Sequence, residues 1–193
     1  MRRQAAVGMV ILALLLLVVS HTTHAADPPD IRNVRWGMTP SEVMAAEMET
    51  ELVKSGSSPD TLSGRIEIAG HRTSLLYHFE AARLVEVIYV FLTEHSSPNR
   101  YIQDYRDLLS ALQSKYGEPI VSDTWWFDSS YKDAPDRWGL AISRGDAHMV
   151  SVWLLDRTHI TLLLSGDNYE IDHMLRYRSA DWDMNKRPDT RGL

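Results

Sequence analysis

Apolar residues along this chain fall into two helical stripes, each followed by a run of alternating strands. Thr39-Pro40-Ser41-Glu42 is a capping box with proline at the first helical position, and Met38 and Val43 stand where a hydrophobic staple puts them. The pattern predicts a helix from there to about residue 53, ended by a Gly/Ser/Pro-rich loop over 55–63. Ser97-Pro98 marks a second start. Tyr101, Tyr105, Leu108, Leu112 and Tyr116 then follow at i, i+4, i+7, i+11 and i+15, a single helical stripe stopped by Gly117 and Pro119.

In the first half strands are predicted at 65–69, 72–80 and 83–92. The turns between them fall at Gly70-His71, with glycine first as a type II′ turn requires, and at Ala81-Ala82. In the second half strands are predicted at 120–127, 138–143, 147–155 and 159–164, with a last one at 171–178, and Ser165-Gly166-Asp167 reads as a strand exit. Gly145-Asp146 supplies a second II′-type turn and Arg157-Thr158 the next. The expected fold is α+β: two helix-plus-antiparallel-meander units, with the helices packed on one face of the sheet. The halves share this plan and no residue-by-residue repeat.

Turns fix registers, and registers assign faces. Gly145-Asp146 would pair Ile142 with Met149 and Trp138 with Trp153; Arg157-Thr158 would set Leu155 against Ile160 and Trp153 against Leu162. The expected core face then carries Trp138, Leu140, Ile142, Met149, Trp153, Leu155, Ile160, Leu162 and Leu164. In the first half Ile66 falls beside Leu75 and Ile68 beside Thr73, and Tyr77, Phe79, Leu84, Ile88 and Val90 continue that face. Glu86 is its misfit, so a bulge intervenes or the edge is solvated. The opposite face carries His148, Val150, Val152, Leu154, His159, Thr161 and Leu163, with Val85, Val87, Tyr89 and Phe91 in the first half. Two helices leave this half-apolar face uncovered, which makes it the natural binding surface.

Composition narrows the function. The chain has 193 residues, 44% hydrophobic, with 20 basic against 26 acidic side chains and no cysteine. Disordered and collagen-like chains are excluded, as are thiol catalysis, disulfide frameworks, Cys-ligated metal and lipid attachment at an N-terminal cysteine. The acidic balance argues against a nucleic-acid partner. Met1-Arg2-Arg3, the apolar run over residues 5–19 and the small-residue exit at Ala25-Ala26 read as a secretory signal peptide over 1–26, cleaved after Ala25 or Ala26. Retention as an anchor is the alternative, although such a run falls short of the ~30 Å hydrocarbon core. Cleavage removes two arginines and no acid. The expected product is exported, periplasmic or extracellular, without stable membrane insertion. It consists of one α+β domain over 27–179, with halves at about 31–95 and 96–179, and a polar C-terminal tail over 180–193 in which Trp182 is the large anchor.

Candidate chemistry is sparse. His71, His78, His95, His148, His159 and His173 show no helical His-x-x-x-His or His-x-x-Glu spacing, so neither a metal nor a cofactor is expected. No Gly-x-Ser-x-Gly elbow and no phosphate-cradling glycine loop occurs, so no catalytic residue is assigned. Arg144-Gly145-Asp146 matches an adhesion tripeptide, but turn chemistry accounts for it. Trp125 and Trp126 are adjacent in a strand and must face opposite ways, which leaves one of them to face out beside Tyr131. The candidate binding residues are therefore Trp125, Trp126, Tyr131, His148, Val150, Val152 and Leu163. The expected role is a non-enzymatic protein that binds another protein or peptide in the cell envelope, with weak self-association as a further expectation. The alternative is a small-molecule or glycan binder using a Trp/Tyr platform, with a hydrolase as a remoter third reading.

Trp36-Gly37-Met38-Thr39-Pro40-Ser41-Glu42-Val43 resembles the Gly-Met-Thr-x-x-Glu-Val opening of small exported bacterial proteins with the β-lactamase-inhibitor-protein fold, a group that includes outer-membrane small lipoprotein A. Lys115-Tyr116-Gly117-Glu118-Pro119 is similar to the Gly-x-Pro that closes helices in those repeats. The resemblance covers about 20 residues. It implies tandem α+β units and protein binding at the envelope, without catalytic residues. The chain departs from the lipoprotein branch in having no lipobox cysteine.

Overall fold

The computed structural model describes residues 28–55 and 58–185. The leader expected over 1–26, with both of its cleavage positions, lies outside the described residues, as does 186–193 of the tail. Eight strands form one antiparallel sheet in the order β1-β2-β3-β4-β8-β7-β6-β5. They are β1 (Val53–Lys54), β2 (Thr61–Ile68), β3 (His71–Glu80), β4 (Arg83–Phe91), β5 (Val121–Trp126), β6 (Ala147–Leu154), β7 (Thr158–Asp167) and β8 (Glu170–Ser179). Among the described residues the α-helices are α1 (Pro40–Ala46), α2 (Asn99–Tyr116), α3 (Trp138–Ser143) and α4 (Ala180–Asn185). Strands of the two halves form two runs that meet where β4 pairs with β8. The class is α+β with an antiparallel sheet.

The capping box forms at α1: Glu42 N–H donates to Thr39 Oγ1 at 3.4 Å, and Thr39 N–H to Glu42 Oε2 at 2.8 Å. This helix stops at Ala46 instead of near residue 53. Glu47 leaves helical geometry to accept three guanidinium bonds from Arg32, the shortest at 2.8 Å from Nη2. The chain then enters β1, and β2 starts at Thr61, so the expected loop over 55–63 is shorter than the composition suggests.

Two turns sit one residue before their expected places. Ala69 and Gly70 both take positive φ (50° and 78°), a primed turn that pairs Ile68 with His71 and Ile66 with Thr73. Between β6 and β7 the register pairs Trp153 with Ile160 and Ser151 with Leu162. Each register differs from expectation by two residues, and a two-residue slip keeps every side chain on its own face. The turn at Ala81-Ala82 falls where expected.

On β4 the face assignment reverses. His78 pairs with Glu86 and Phe79 with Leu84, leaving Val85 as the extra residue of a bulge. Beyond it Val87, Tyr89 and Phe91 are buried, while Glu86, Ile88 and Val90 lie on the other face. The misfit glutamate therefore signals a bulge, and Ile88 and Val90 do not belong to the core face.

The strand expected over 138–143 is helix α3. Its N-terminus is capped from elsewhere: Asn99, at the start of α2, accepts from Gly139 N–H at 2.7 Å through Oδ1 and donates to Asp136 O at 2.8 Å through Nδ2. A Cβ on Gly139 would meet Asn99 N at 2.4 Å, so glycine is what permits this contact. Gly145 (φ +82°) ends α3 instead of turning a hairpin, and the pairings Ile142–Met149 and Trp138–Trp153 do not exist. β6 pairs instead with β5, Trp126 opposite Ala147 and Val121 opposite Val152. β7 continues through the expected exit to Asp167, and Asn168-Tyr169 turns the chain into β8.

The core gathers Leu75, Tyr77, Val87, Trp153, Ile160, Leu162, Leu164 and Leu175 beneath the α2 stripe of Ile102, Tyr105, Leu108 and Leu112. Trp153 Nε1–H donates to Gly117 O at 2.8 Å, and Tyr105 Oη bonds Ser151 Oγ at 2.8 Å, tying the C-terminal end of α2 and its second turn to β6. No helix among the described residues is long and apolar enough to cross a membrane.

Candidate functional site

Alternation along the strands sends every second side chain to the side of the sheet away from the α2 stripe. Across β3, β4, β8, β7 and β6 that side presents Leu76, Ile88, Arg176, Thr161 and Val152 in one row, and Ser74, Val90, Met174, Leu163 and Val150 in the next. Most of these are half-buried by their sheet neighbours; Val150 is nearly closed off, 4% exposed, and presents almost no surface. The row beyond carries His78, Glu86, Arg178 and His159. Glu86 is buried there because Arg178 Nη2 bonds its Oε1 at 2.8 Å and Arg176 Nε lies 3.3 Å from the same oxygen. Trp182 of α4 closes this end: the Arg178 guanidinium lies 4.8 Å from its ring, His78 stands 6.5 Å away edge-on, and its Nε1–H donates to Glu80.

At the other end of this face His148 pairs with Trp125, and Phe127 meets the His148 ring edge-on at 4.9 Å. Trp125, Phe127, Leu154 and Ile120 are each more than half exposed. Of the seven candidate residues, Trp125, His148, Val150, Val152 and Leu163 share this face. Trp126 points the other way and packs against Trp138 at 5.6 Å. Tyr131 packs partly against the core, with Arg137 and Arg144 over its ring at 5.9 and 5.7 Å. Trp125 is thus the outward member of the tryptophan pair, and no ring contact joins it to Tyr131 among the described residues. The adhesion-like tripeptide is folded on itself, since Arg144 Nε lies 3.2 Å from Asp146 Oδ2.

Two partly buried polar groupings escape sequence reasoning. Three histidines and an aspartate come from four separate places: His71 on β3, His95 before α2, Asp104 on α2 and His173 on β8. His95 Nε2 is 2.6 Å from Asp104 Oδ2, and His71 Nδ1 is 3.8 Å from it. His173 stacks on Phe91 at 4.6 Å and its Nε2 finds no hydrogen-bond partner among the described residues. Burial pushes its imidazole down to about 4, against a raising pull from Asp104. The second grouping is Arg32, Glu47, Tyr77 and Tyr89. Burial works to raise the Glu47 carboxyl, but the hydrogen bonds and charge of Arg32 outweigh it and hold Glu47 below its ordinary value. Burial raises the phenols of Tyr77 and Tyr89 well above theirs. Helical or alternating spacing reveals neither grouping, because their members meet only through tertiary packing. No set of three or more His, Asp or Glu side chains among the described residues is arranged to hold a metal ion.

One cleft of about 360 Å³ opens beside α4, lined by Trp36, Trp182, Arg83, Arg157, Asp156 and Asp181 among others. No family model, curated protein or solved structure matches this chain.

Proposed function

We propose that this is an exported, non-enzymatic binding protein of the cell envelope whose ligand is another protein or peptide. The carrying observation is the two adjacent rows of half-buried apolar side chains on the side of the sheet away from the α2 stripe, with Leu76 and Ile88 in one and Val90, Met174 and Leu163 in the next. An antiparallel sheet tolerates one wet face, whereas a contiguous apolar area of several hundred Å² marks an interaction site. In this reading the two strand runs are tandem helix-plus-meander units, as the resemblance to β-lactamase-inhibitor-protein-like folds implies, with α2 on one face and the ligand on the other, beside the end that Trp182 closes.

The test is capture from an envelope extract by the wild-type chain and by Ile88→Lys, with circular dichroism as the folding control. Partners retained by wild type and lost by a folded Ile88→Lys support the reading. An unfolded variant makes this face core, and an unchanged capture set makes it idle; either result removes the proposal.

A second reading, a small-molecule or glycan binder, is favoured by the cleft that sets two indoles among two arginines and two aspartates. Saturable quenching of tryptophan fluorescence by a glycan, abolished in Trp182→Ala and kept in Trp125→Ala, would select it.

A further inference from the structure

The two edges of the sheet are built differently. β1 is two residues long and offers almost no ladder. β5 is six residues long and stands at the end of the strand order. Phe127 N–H donates to Asp146 O at 2.8 Å, continuing the Trp126–Ala147 register. That bond makes the odd-numbered residues the ones bonded to β6, so Ser122, Thr124 and Trp126 aim their N–H and C=O away from the sheet.

One of those outward donors is held locally, since Thr124 N–H donates to Asp123 Oδ1 at 2.7 Å. Asp123 therefore blunts the edge against a neutral or acidic strand, and a cation that draws its carboxylate aside frees the donor. Over residues 118–128 the chain carries Glu118, Asp123 and Asp128 and no Lys or Arg. Exposed Ile120, Trp125 and Phe127 lie along the same stretch. Asp123 and Trp125 are neighbours on one face, a carboxylate beside an indole, which suits a lysine or arginine side chain.

We propose that β5 is a docking edge on which an extended, basic segment of another protein adds as a further antiparallel strand, its alternate basic residues meeting Asp123 and Trp125. The proposal rests on the protein-binding reading above and places the contact at the edge of the sheet. A second copy of this chain is the poorer occupant. Two-fold pairing about Thr124 would set the two Asp123 carboxylates diagonally across the new ladder, in a chain of net charge −6.

The probe is a blocked heptapeptide alternating valine and arginine, with an alternating valine–glutamate peptide as control, titrated into the purified chain by calorimetry and tryptophan fluorescence. Binding of the arginine peptide is expected to be saturable, weakened by salt, and about tenfold or more tighter than that of the control. Asp123→Lys should reverse the preference. Thr124→Pro, which an edge strand accommodates, should weaken binding about tenfold through loss of the outward N–H. Absent binding, equal binding of both peptides, or folded Asp123→Lys and Thr124→Pro variants that bind like wild type would overturn the proposal. Wild-type dimers in sedimentation that Thr124→Pro dissolves would also overturn it, by giving the edge to a second copy. If Ile88→Lys loses envelope partners while both edge variants keep them, the face reading stands and the edge proposal falls.

Discussion

The two ends of the buried side solve the problem of interior polarity in opposite ways. At one end Arg32 and Glu47 form an ion pair with bonds down to 2.8 Å, backed by Thr50 and by the N–H of Asn33, and the Tyr77, Tyr89, Tyr116 and Tyr177 rings gather around it. At the other end Asp104 serves two imidazoles, and a third, His173, is buried neutral with one nitrogen unbonded among the described residues. Glu47 and its partner keep their charges across the ordinary pH range. The histidine end holds His173, whose imidazole burial pushes down to about 4, so acid must force a proton onto a buried ring. The lesson is that one core can hold a permanent polar anchor and a titratable one, and acid should attack the second first.

The largest effect expected is at the permanent end. Glu47→Ala leaves a part-exposed guanidinium without its buried carboxylate partner and should cost about 3 kcal/mol, the low end for a buried pair, read as a shift in the urea midpoint. Replacing the pair together, with Arg32→Met and Glu47→Leu, should recover most of that loss. A Glu47→Ala cost below about 1 kcal/mol would mean that the pair anchors nothing.

Next in size is a pH dependence confined to the histidine end. The folded chain holds His173 at about 4 against an ordinary 6.5, so between those values the unfolded chain binds the proton more tightly. Stability from this site is therefore full above pH 6.5 and falls as pH drops toward 4, by about 3 kcal/mol at the limit. Glu47, held below its ordinary 4.5, keeps its contribution down to about pH 4.5 and loses it only below that. Urea midpoints from pH 7.5 to 4.5 should show the slope in wild type and a flatter one in His173→Leu. Equal slopes would put the acid sensitivity elsewhere.

The smallest effect sharpens the contrast within the histidine end. Tyr105 lies 6.0 Å from His173 and bonds Ser151, whose hydroxyl keeps a second partner in Ser122 at 3.0 Å. Tyr105→Phe should therefore cost only about 1 kcal/mol by thermal melting. Its phenol, raised by burial to about 12, adds no slope of its own in this pH window. A cost of several kcal/mol would mean that the hydroxyl organises the whole end.

Local chemistry made much of this fold legible. The capping box at Thr39 and Glu42, the α2 stripe and its stop at Gly117 depend on neighbours a few residues apart, and they stand where the pattern puts them. Most strands do too, since alternation is also local. The register slips of two residues left the faces of β2, β3, β6 and β7 intact, because pleating repeats every two residues. Glu86 was readable as an anomaly but not as an answer. A bulge and a solvated edge predict the same misfit, and only the pairing of Phe79 with Leu84 separates them.

By itself the sequence determined the class of the fold, the starts of both main helices and the opposition of Trp125 to Trp126, since each follows from spacing along one stretch of chain. Tertiary structure alone decided that residues 138–143 are helical. That segment alternates well enough for a strand, and its helix is capped by Asn99 some 40 residues earlier. Tertiary structure also decided that Glu47 leaves α1 for Arg32, that Asp104 gathers histidines from β3 and the α2 approach, and that β5, not 138–143, pairs with β6 and forms the outer edge. In each case a bond between distant residues outweighs a local preference of a few tenths to about 1 kcal/mol, and such bonds leave no periodic trace in the chain.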